Sequence, residues 1–448
     1  MQGFVSVVNG FLWNNFLIYA LLGTGIYYTI RLGIPQISKV GPGFKQVFGG
    51  IFKRDEKADA DGMTSFQALA TAVAAQVGTG NLAGVATAIA AGGPGAVFWM
   101  WISAIFGMAT NFGEAVLAQK YADRVGDEVT GGPAYYLSKG VRSKFLAGFF
   151  AVTIILALGF VGNMVQSNSI STAMNTAFGI NKLIGGIITA ILVGLILIGG
   201  MKRIASFTEL VVPFMAVLYI IGSIIILIRN GANIIPAFKS IFVGAFTTQA
   251  AVGGALGVTV KEAVRFGIAR GLFSNEAGMG STPHAHAVAK VAHPTLQGMA
   301  AMVGVIVDTL VICTVTALVN LVTGANLTGL TGIEMTQEAF RLGLGEIGLG
   351  FIAVSLFFFA FTTIIGWYFF GEANIKFLFG IKAVPIYRWI VLGFIVLGSF
   401  LKVDLVWDLA DMFNGLMVIP NLIGLLILAP QAAEMLRDYD MNYLGKEK

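Results

Sequence analysis

The sequence predicts an all-α integral membrane protein with about eleven transmembrane helices. One extra N-terminal helix precedes a core of two inverted five-helix repeats, each with one broken helix. Three observations carry this expectation. Of the 448 residues, 56% are hydrophobic and only 11% are charged, whereas a soluble globular protein carries roughly 25% charged residues. With a mean hydropathy of +0.83, the chain lacks the polar surface a soluble body of this size needs. Finally, apolar runs of membrane-crossing length recur along the whole chain, and two are interrupted at corresponding places.

At 1.5 Å rise per residue, a helix needs about 20 apolar residues to cross ~30 Å of hydrocarbon. Eleven stretches qualify: 9–31, 64–90, 94–121, 146–177, 183–200, 206–228, 258–289, 296–323, 347–371, 385–401 and 406–430. The first has no basic segment before it and no small-residue cleavage site after it, so it reads as a retained helix. Lys and Arg counts orient the chain. With the N-terminus outside, the inside segments hold 20 basic residues and the outside segments 6. The expectation is a multi-pass cell-membrane protein with a cytoplasmic C-terminus. The net charge of +5 then reflects orientation in a bilayer and not a nucleic-acid partner.

Five parts follow: 1–63, a peripheral first helix and cytoplasmic linker; 64–229, the first repeat; 230–257, an extracellular cap; 258–430, the second repeat; and 431–448, a cytoplasmic tail. The run Lys53-Arg54-Asp55-Glu56-Lys57 reads as solvated linker. Residues 131–145 read as a short helix along the inner face. Residues 231–257 are too polar and glycine-rich to span, and read as short helices capping the outer side.

The interruptions are Gln76-Val77-Gly78-Thr79-Gly80-Asn81 in the second run and Phe273-Ser274-Asn275-Glu276-Ala277-Gly278-Met279-Gly280 in the seventh. A continuous helix gains nothing from clustered glycine, which costs about 1 kcal/mol per residue relative to alanine. Unwound backbone at membrane depth is tolerated where it lines a cavity or is buried in protein. Two such spans, five apart, point to a binding site between two inverted repeats.

Residues 92–107, Gly-Gly-Pro-Gly-Ala-Val-Phe-Trp-Met-Trp-Ile-Ser-Ala-Ile-Phe-Gly, resemble the signature of the alanine or glycine:cation symporter family (the sodium:alanine symporters). The resemblance extends along nearly the whole chain, through Gly78-Thr79-Gly80-Asn81 and Ser274-Asn275-Glu276-Ala277-Gly278. It implies the leucine-transporter-like fold of the amino acid–polyamine–cation superfamily. It also implies alternating access, with amino acid and Na⁺ sites at the midplane. The extra leading helix departs from that fold, and a second Na⁺ site has no complete ligand set here.

The implied cargo is alanine or glycine, a zwitterion needing an anion site and a cation site close together. Backbone amides at Gly78, Thr79, Gly80 and Asn81, at the start of a half-helix, suit the carboxylate. Carbonyls near Phe273, at the end of the other half-helix, suit the ammonium together with Ser274 and Asn275. Gln166 fits either a polar substrate contact or a bond between helices. Trp367 fits either the wall over the substrate methyl or ordinary packing, as does Phe273. For Na⁺, a hard cation taking oxygen ligands, the fold resemblance implies the carbonyls of Ala74 and Val77 with the hydroxyls of Thr362 and Thr363. The two threonines equally fit bonds to their own helix.

Three acids, Glu114, Asp308 and Glu276, fall inside runs and are functional candidates by position. Asp308 suits an ion site, a coupling proton or a paired structural acid, and Glu276 a brace paired with Arg270 or Arg265. The histidines, His284, His286 and His293, join no cysteine or carboxylate cluster of metal-site spacing. Cys313 lies alone in an apolar run. The sequence holds no nucleophile–base pair and no phosphate-cradling Gly-Lys-Thr motif. It therefore predicts no enzyme, no organic cofactor and no ATP-driven pump, and points to no obligate protein partner. A proton-coupled transporter of the same fold is the alternative, and a channel a more distant one.

Overall fold

The computed structural model describes residues 2–49, 62–248 and 258–444. The charged run at 53–57 and the end of the expected cap, 249–257, lie outside the described residues. The described chain is helical apart from one small hairpin. In chain order the helices are α1 (Gly3–Arg31), α2 (Val40–Gly49), α3 (Ser65–Gln76), α4 (Gly80–Gly92), α5 (Gly95–Lys120), α6 (Pro133–Lys139), α7 (Lys144–Phe178), α8 (Lys182–Leu197) and α9 (Gly200–Arg229). They continue with α10 (Ile234–Phe246), α11 (Val260–Asn275), α12 (Pro283–Ala287), α13 (Pro294–Val322), α14 (Gly332–Leu344), α15 (Glu346–Phe379), α16 (Val384–Phe400) and α17 (Val406–Tyr443). Every predicted run holds a helix. By length and composition, eight helices among the described residues can cross a membrane, or nine if the bent pair α3–α4 is one span. The shortfall from eleven has two causes. Helix α8 has only 16 residues, and the seventh run is divided between polar α11 and short α12.

Local chemistry sets the ends. Both broken spans begin with a capping box, Thr64 with Gln67 and Thr259 with Glu262, so two orphan amides at each start are satisfied reciprocally. Helices α12 and α13 begin with proline at the first position, where its missing N–H costs nothing.

The hairpin was not expected. Its strands, β1 (Asp123–Val125) and β2 (Glu128–Thr130), are antiparallel and turn at Gly126, whose φ is +64°. It fills the segment before α6. Glu128 pairs with buried Lys376 at 2.5 Å, and Lys376 also meets Glu372 at 2.7 Å. Outside the membrane, the Lys139 ammonium 2.8 Å from Asp123 holds that carboxyl below the ordinary carboxylate range.

The segments assigned to the inside by charge meet at one end of the bundle. Lys39 pairs with Asp440, and His293 lies 3.2 Å from Asp438. There too the start of the first broken span and the end of the second join in a parallel bridge, Met63 to Ala289. At the other end, Arg229 donates to the Gly343 carbonyl at 3.1 Å and Asn233 to that of Val322 at 2.9 Å. The core is apolar and continuous from α1 to α17, and glycines let its helices close up. A Cβ at Gly366 would lie 2.9 Å from Ala75 Cβ, and one at Gly267 2.3 Å from the Ala96 oxygen; such close approach between helices is what small residues permit in a membrane.

Candidate functional site

The two interruptions face each other inside the bundle. In the first, α3 and α4 meet at 48°. The chain leaves α3 at Val77, and Asn81 Oδ1 accepts from the Gly78 N–H at 2.8 Å. In the second, α11 stops at Glu276, whose φ of +58° is left-handed. Gln76 Nε2 donates to the Asn275 carbonyl at 2.7 Å and ties the breaks together. A Cβ on Gly80 would lie 3.2 Å from both Phe273 Cδ1 and Ser274 Cα.

All the residues singled out from the sequence are buried: Ala74, Val77, Gly78, Thr79, Gly80, Asn81, Gln166, Phe273, Ser274, Asn275, Thr362, Thr363 and Trp367. Gln166 Oε1 accepts from the Thr79 N–H at 3.1 Å and from its hydroxyl at 2.6 Å. Thr363 Oγ1 lies 2.9 Å from the Ala74 carbonyl and 3.3 Å from that of Val77, besides 3.1 Å from Phe359 of its own helix. Thr362 is not brought there. Its hydroxyl donates to the Phe359 carbonyl at 2.9 Å and lies 3.5 Å from the Met215 sulfur on α9. Successive residues on a helix point about 100° apart, so only one of the pair faces the first break. Trp367 meets Phe273 edge-on at 6.0 Å, and Phe273 also meets Trp407 at 5.1 Å.

The side chains of Ser274 and Asn275 are engaged from an unexpected direction. Asp308 on α13 enters between the breaks and takes hydrogen bonds from both. Its Oδ1 accepts from Asn81 Nδ2 at 2.6 Å, and Ser274 Oγ lies 2.9 and 3.1 Å from its two oxygens. The Thr309 hydroxyl adds a bond at 2.7 Å and itself accepts from Asn275 Nδ2 at 3.2 Å. Asp308 therefore joins the site, although sequence reasoning gave it no fixed place. It lies in a π-helical turn, Ile306–Cys313; such turns often mark functional sites and leave no clear signal in sequence.

The expected pairing of Glu276 is corrected. Arg270 instead makes a bidentate pair with Asp411, at 3.0 and 2.7 Å, and the Arg265 guanidinium lies 4.9 Å above the Phe266 ring. Glu276 accepts from Trp367 Nε1 and from the Ser281 hydroxyl, both at 2.5 Å. It braces the break, but against the aromatic wall. Glu114 reaches the second break from α5. The histidines are engaged separately, His284 with Ser281 and Asn374, His286 with Gln297, and His293 with Asp438.

The stretch 92–107 lies along α11, where a Cβ on Gly267 would meet the Ala96 oxygen and one on Gly271 the Met100 Cα and Ser103 Oγ, and its aromatic side chains reach α10. Trp99 Nε1 donates to the Ala245 carbonyl at 3.2 Å, and Phe98 packs on Phe246 at 5.0 Å. The stretch thus packs α5 closely against the second broken span, down to Gly107 beside Ala277 of the break itself, with α10 covering its tryptophans.

Two interrupted helices meeting at a buried polar centre in an all-helical membrane bundle define a transport protein built on discontinuous helices. The chain belongs to the sodium:alanine symporter family, whose model matches residues 1–448. It is a cation-coupled symporter of amino acids and not an enzyme. It is 44% identical over 435 residues to the sodium/alanine symporter AgcS of Methanococcus maripaludis, covering 95% of this chain and 94% of that one. It is also 44% identical over 441 residues to the probable sodium/glutamine symporter GlnT of Bacillus subtilis, covering 98% and 91%. Among solved structures it resembles the manganese transporter of Eremococcus coleocola, with a TM-score of 0.53 and 15% identity over 83% of this chain and 78% of that one. That likeness concerns the fold.

Proposed function

We propose that this protein carries alanine or glycine into the cell together with Na⁺, by alternating access about the two breaks. In this reading the chain crosses the membrane eleven times from an outside N-terminus, and spans two to six and seven to eleven form the inverted repeats. The carboxylate of the amino acid sits on the amides of the first break, from Gly78 to Asn81. Its ammonium sits at the end of α11, against the carbonyls at Phe273 and Ser274 and beside the Asp308 charge. Phe273 and Trp367 wall a space suited to a methyl group or less. Gln166 Oε1 holds the Thr79 N–H and hydroxyl and gives up the N–H to the carboxylate when the amino acid binds.

The observation that carries the reading is Thr363 lying against the carbonyls of Ala74 and Val77. Residues nearly 300 apart in sequence bring three oxygens together at the end of a half-helix, where the dipole favours a cation. A rotated hydroxyl turns these oxygens into a set for a hard ion. Thr362, facing α9, is left out of the set.

The test is uptake of labelled alanine into proteoliposomes under an inward Na⁺ gradient, against an equal K⁺ gradient. Concentrative uptake is expected with Na⁺ alone, competed by glycine and not by leucine or glutamine. Thr363→Val is expected to lower the apparent Na⁺ affinity at least tenfold, with Thr362→Val near the unaltered protein. Uptake driven by a proton gradient without Na⁺ would reject the ion. Competition by glutamine as strong as by glycine would reject the substrate.

A further inference from the structure

Each break exposes both signs of backbone charge, carbonyls where one half-helix ends and amides where the chain resumes. A zwitterion between two such breaks has two orientations open to it, head to tail and reversed. The structure treats these contacts unequally: neutral amide side chains meet some at both breaks, and a hydroxyl or a carboxyl meets the rest. At the first break the carbonyls of Ala74 and Val77 face Thr363. At the second break the amides are taken by Glu114. Its Oε2 accepts from the Gly278 N–H at 3.0 Å and its Oε1 from the Gly280 N–H at 2.9 Å.

The fit at Glu114 is close. Gly278 and Gly280 have φ of +84° and +81°, a left-handed region in which glycine is at ease. These two turns aim alternate N–H groups at one carboxylate. Asn421 Nδ2 completes the set, donating to Oε1 at 2.6 Å and to the Gly278 carbonyl at 2.9 Å. Tyr136 in turn donates to Asn421 Oδ1. Glu114 is wholly buried and makes no salt bridge among the described residues. Only dipolar groups meet its carboxyl oxygens, the arrangement an anion-binding loop presents to a ligand.

We infer that Glu114 is a positioning residue that fills the anion-accepting loop of the second break and thereby fixes which way round the amino acid lies. This inference rests on the proposed amino acid site. With the loop filled by a carboxyl, the substrate carboxylate is left with the first break, where the Gly78 and Thr79 N–H groups rest on the neutral amide oxygens of Asn81 and Gln166 and can be exchanged for it. With the loop vacated, the carboxylate gains a second and unproductive place, and the ammonium is drawn from the end of α11.

The experiment compares Glu114→Ala, Glu114→Gln and Glu114→Asp in proteoliposomes, measuring alanine binding and turnover separately, with and without formate. Glu114→Ala is expected to keep alanine affinity within about threefold while turnover falls at least tenfold. Formate, a carboxylate small enough for the vacated space, is expected to restore much of that turnover. Glu114→Gln, which fills the space and presents an amide donor to an N–H, is expected to lose turnover without rescue. Glu114→Asp is expected to lie between the unaltered protein and Glu114→Ala. Unaltered turnover in Glu114→Gln would overturn the inference, as would parallel loss of binding and turnover in Glu114→Ala with no response to formate. If Glu114→Ala does not fold, Glu114→Gln decides alone, by whether turnover falls while binding persists. If the unaltered protein binds no alanine, the substrate assignment fails instead, and the same comparison is run with whichever amino acid it does bind.

Discussion

Gly78→Ala is expected to reduce transport at least a hundredfold while leaving the bundle folded. The added Cβ would stand 2.3 Å from Thr363 Oγ1 and 3.1 Å from Gln166 Oε1. Neither neighbour has room to withdraw. Thr363 is held on α15 between its own Phe359 carbonyl and those of Ala74 and Val77, and Gln166 is held by Thr79. Relief must come from pushing the first break away from α15, which separates the oxygens proposed for the ion. Gly84→Ala is the matched control. Six residues further on, its Cβ would meet nothing nearer than 4.0 Å, and near-normal uptake is expected. Both variants are read by alanine uptake and by Na⁺-dependent alanine binding. Uptake in Gly78→Ala equal to that of Gly84→Ala would show that the break tolerates bulk, against the proposed site.

Asp308→Ala carries the second large effect. It strips the acceptor from Asn81 Nδ2, Ser274 Oγ and Thr309 Oγ1 at once. Asn81 Nδ2 keeps only the longer contacts to the Asp308 carbonyl at 3.3 Å and Cys313 Sγ at 3.4 Å, and Ser274 Oγ only Cys313 Sγ at 3.2 Å. A buried donor left without a good acceptor costs about 1 to 3 kcal/mol, and these donors come from both breaks and from α13 itself. The breaks then keep Gln76 to Asn275 but lose the carboxyl that joins Asn81 to Ser274, and the proposed ammonium loses its nearest acid. Alanine affinity is expected to fall at least a hundredfold, which corresponds to about 2.7 kcal/mol. Asp308→Asn separates the two contributions, because it keeps an acceptor and removes the charge. A loss in Asp308→Asn as deep as in Asp308→Ala assigns the effect to charge, and a shallow one assigns it to the hydrogen bonds. Isothermal titration of both proteins with alanine in Na⁺ measures this. Unchanged affinity in both would remove Asp308 from the site.

The breaks were legible in the sequence because glycine and asparagine at membrane depth have few other uses. Gly78-Thr79-Gly80-Asn81 and the run from Phe273 to Gly280 mark the two places where the chain leaves its helices. What the side chains at those places touch was far less legible. Thr362 and Thr363 are adjacent and chemically alike, and only the rotation of α15 about its axis decides that Thr363 meets the first break. Asp308 was visible as a charge in an apolar run, but its partners lie 34 and 227 residues away in sequence. No local pattern encodes that meeting. Glu276 was expected to seek an arginine because unpaired charge is costly in a membrane. Asp411 on α17 took Arg270 instead. The hairpin at 123–130 went unread because each strand has three residues, too few for alternation to show.

Helix α15 contains no proline and runs unbroken for 34 residues, from Glu346 to Phe379. Thr363 and Trp367 stand one turn apart on it, about 6 Å along the axis. A stiff rod of this kind does not let one of its side chains shift and the other stay. Anything that draws Thr363 toward the first break, or lets it go, also carries Trp367 relative to Phe273 and tugs Glu276 at the foot of α11. In the proposed reading, occupancy at Thr363 is then communicated to the aromatic wall through one rigid helix, as a shaft transmits a turn.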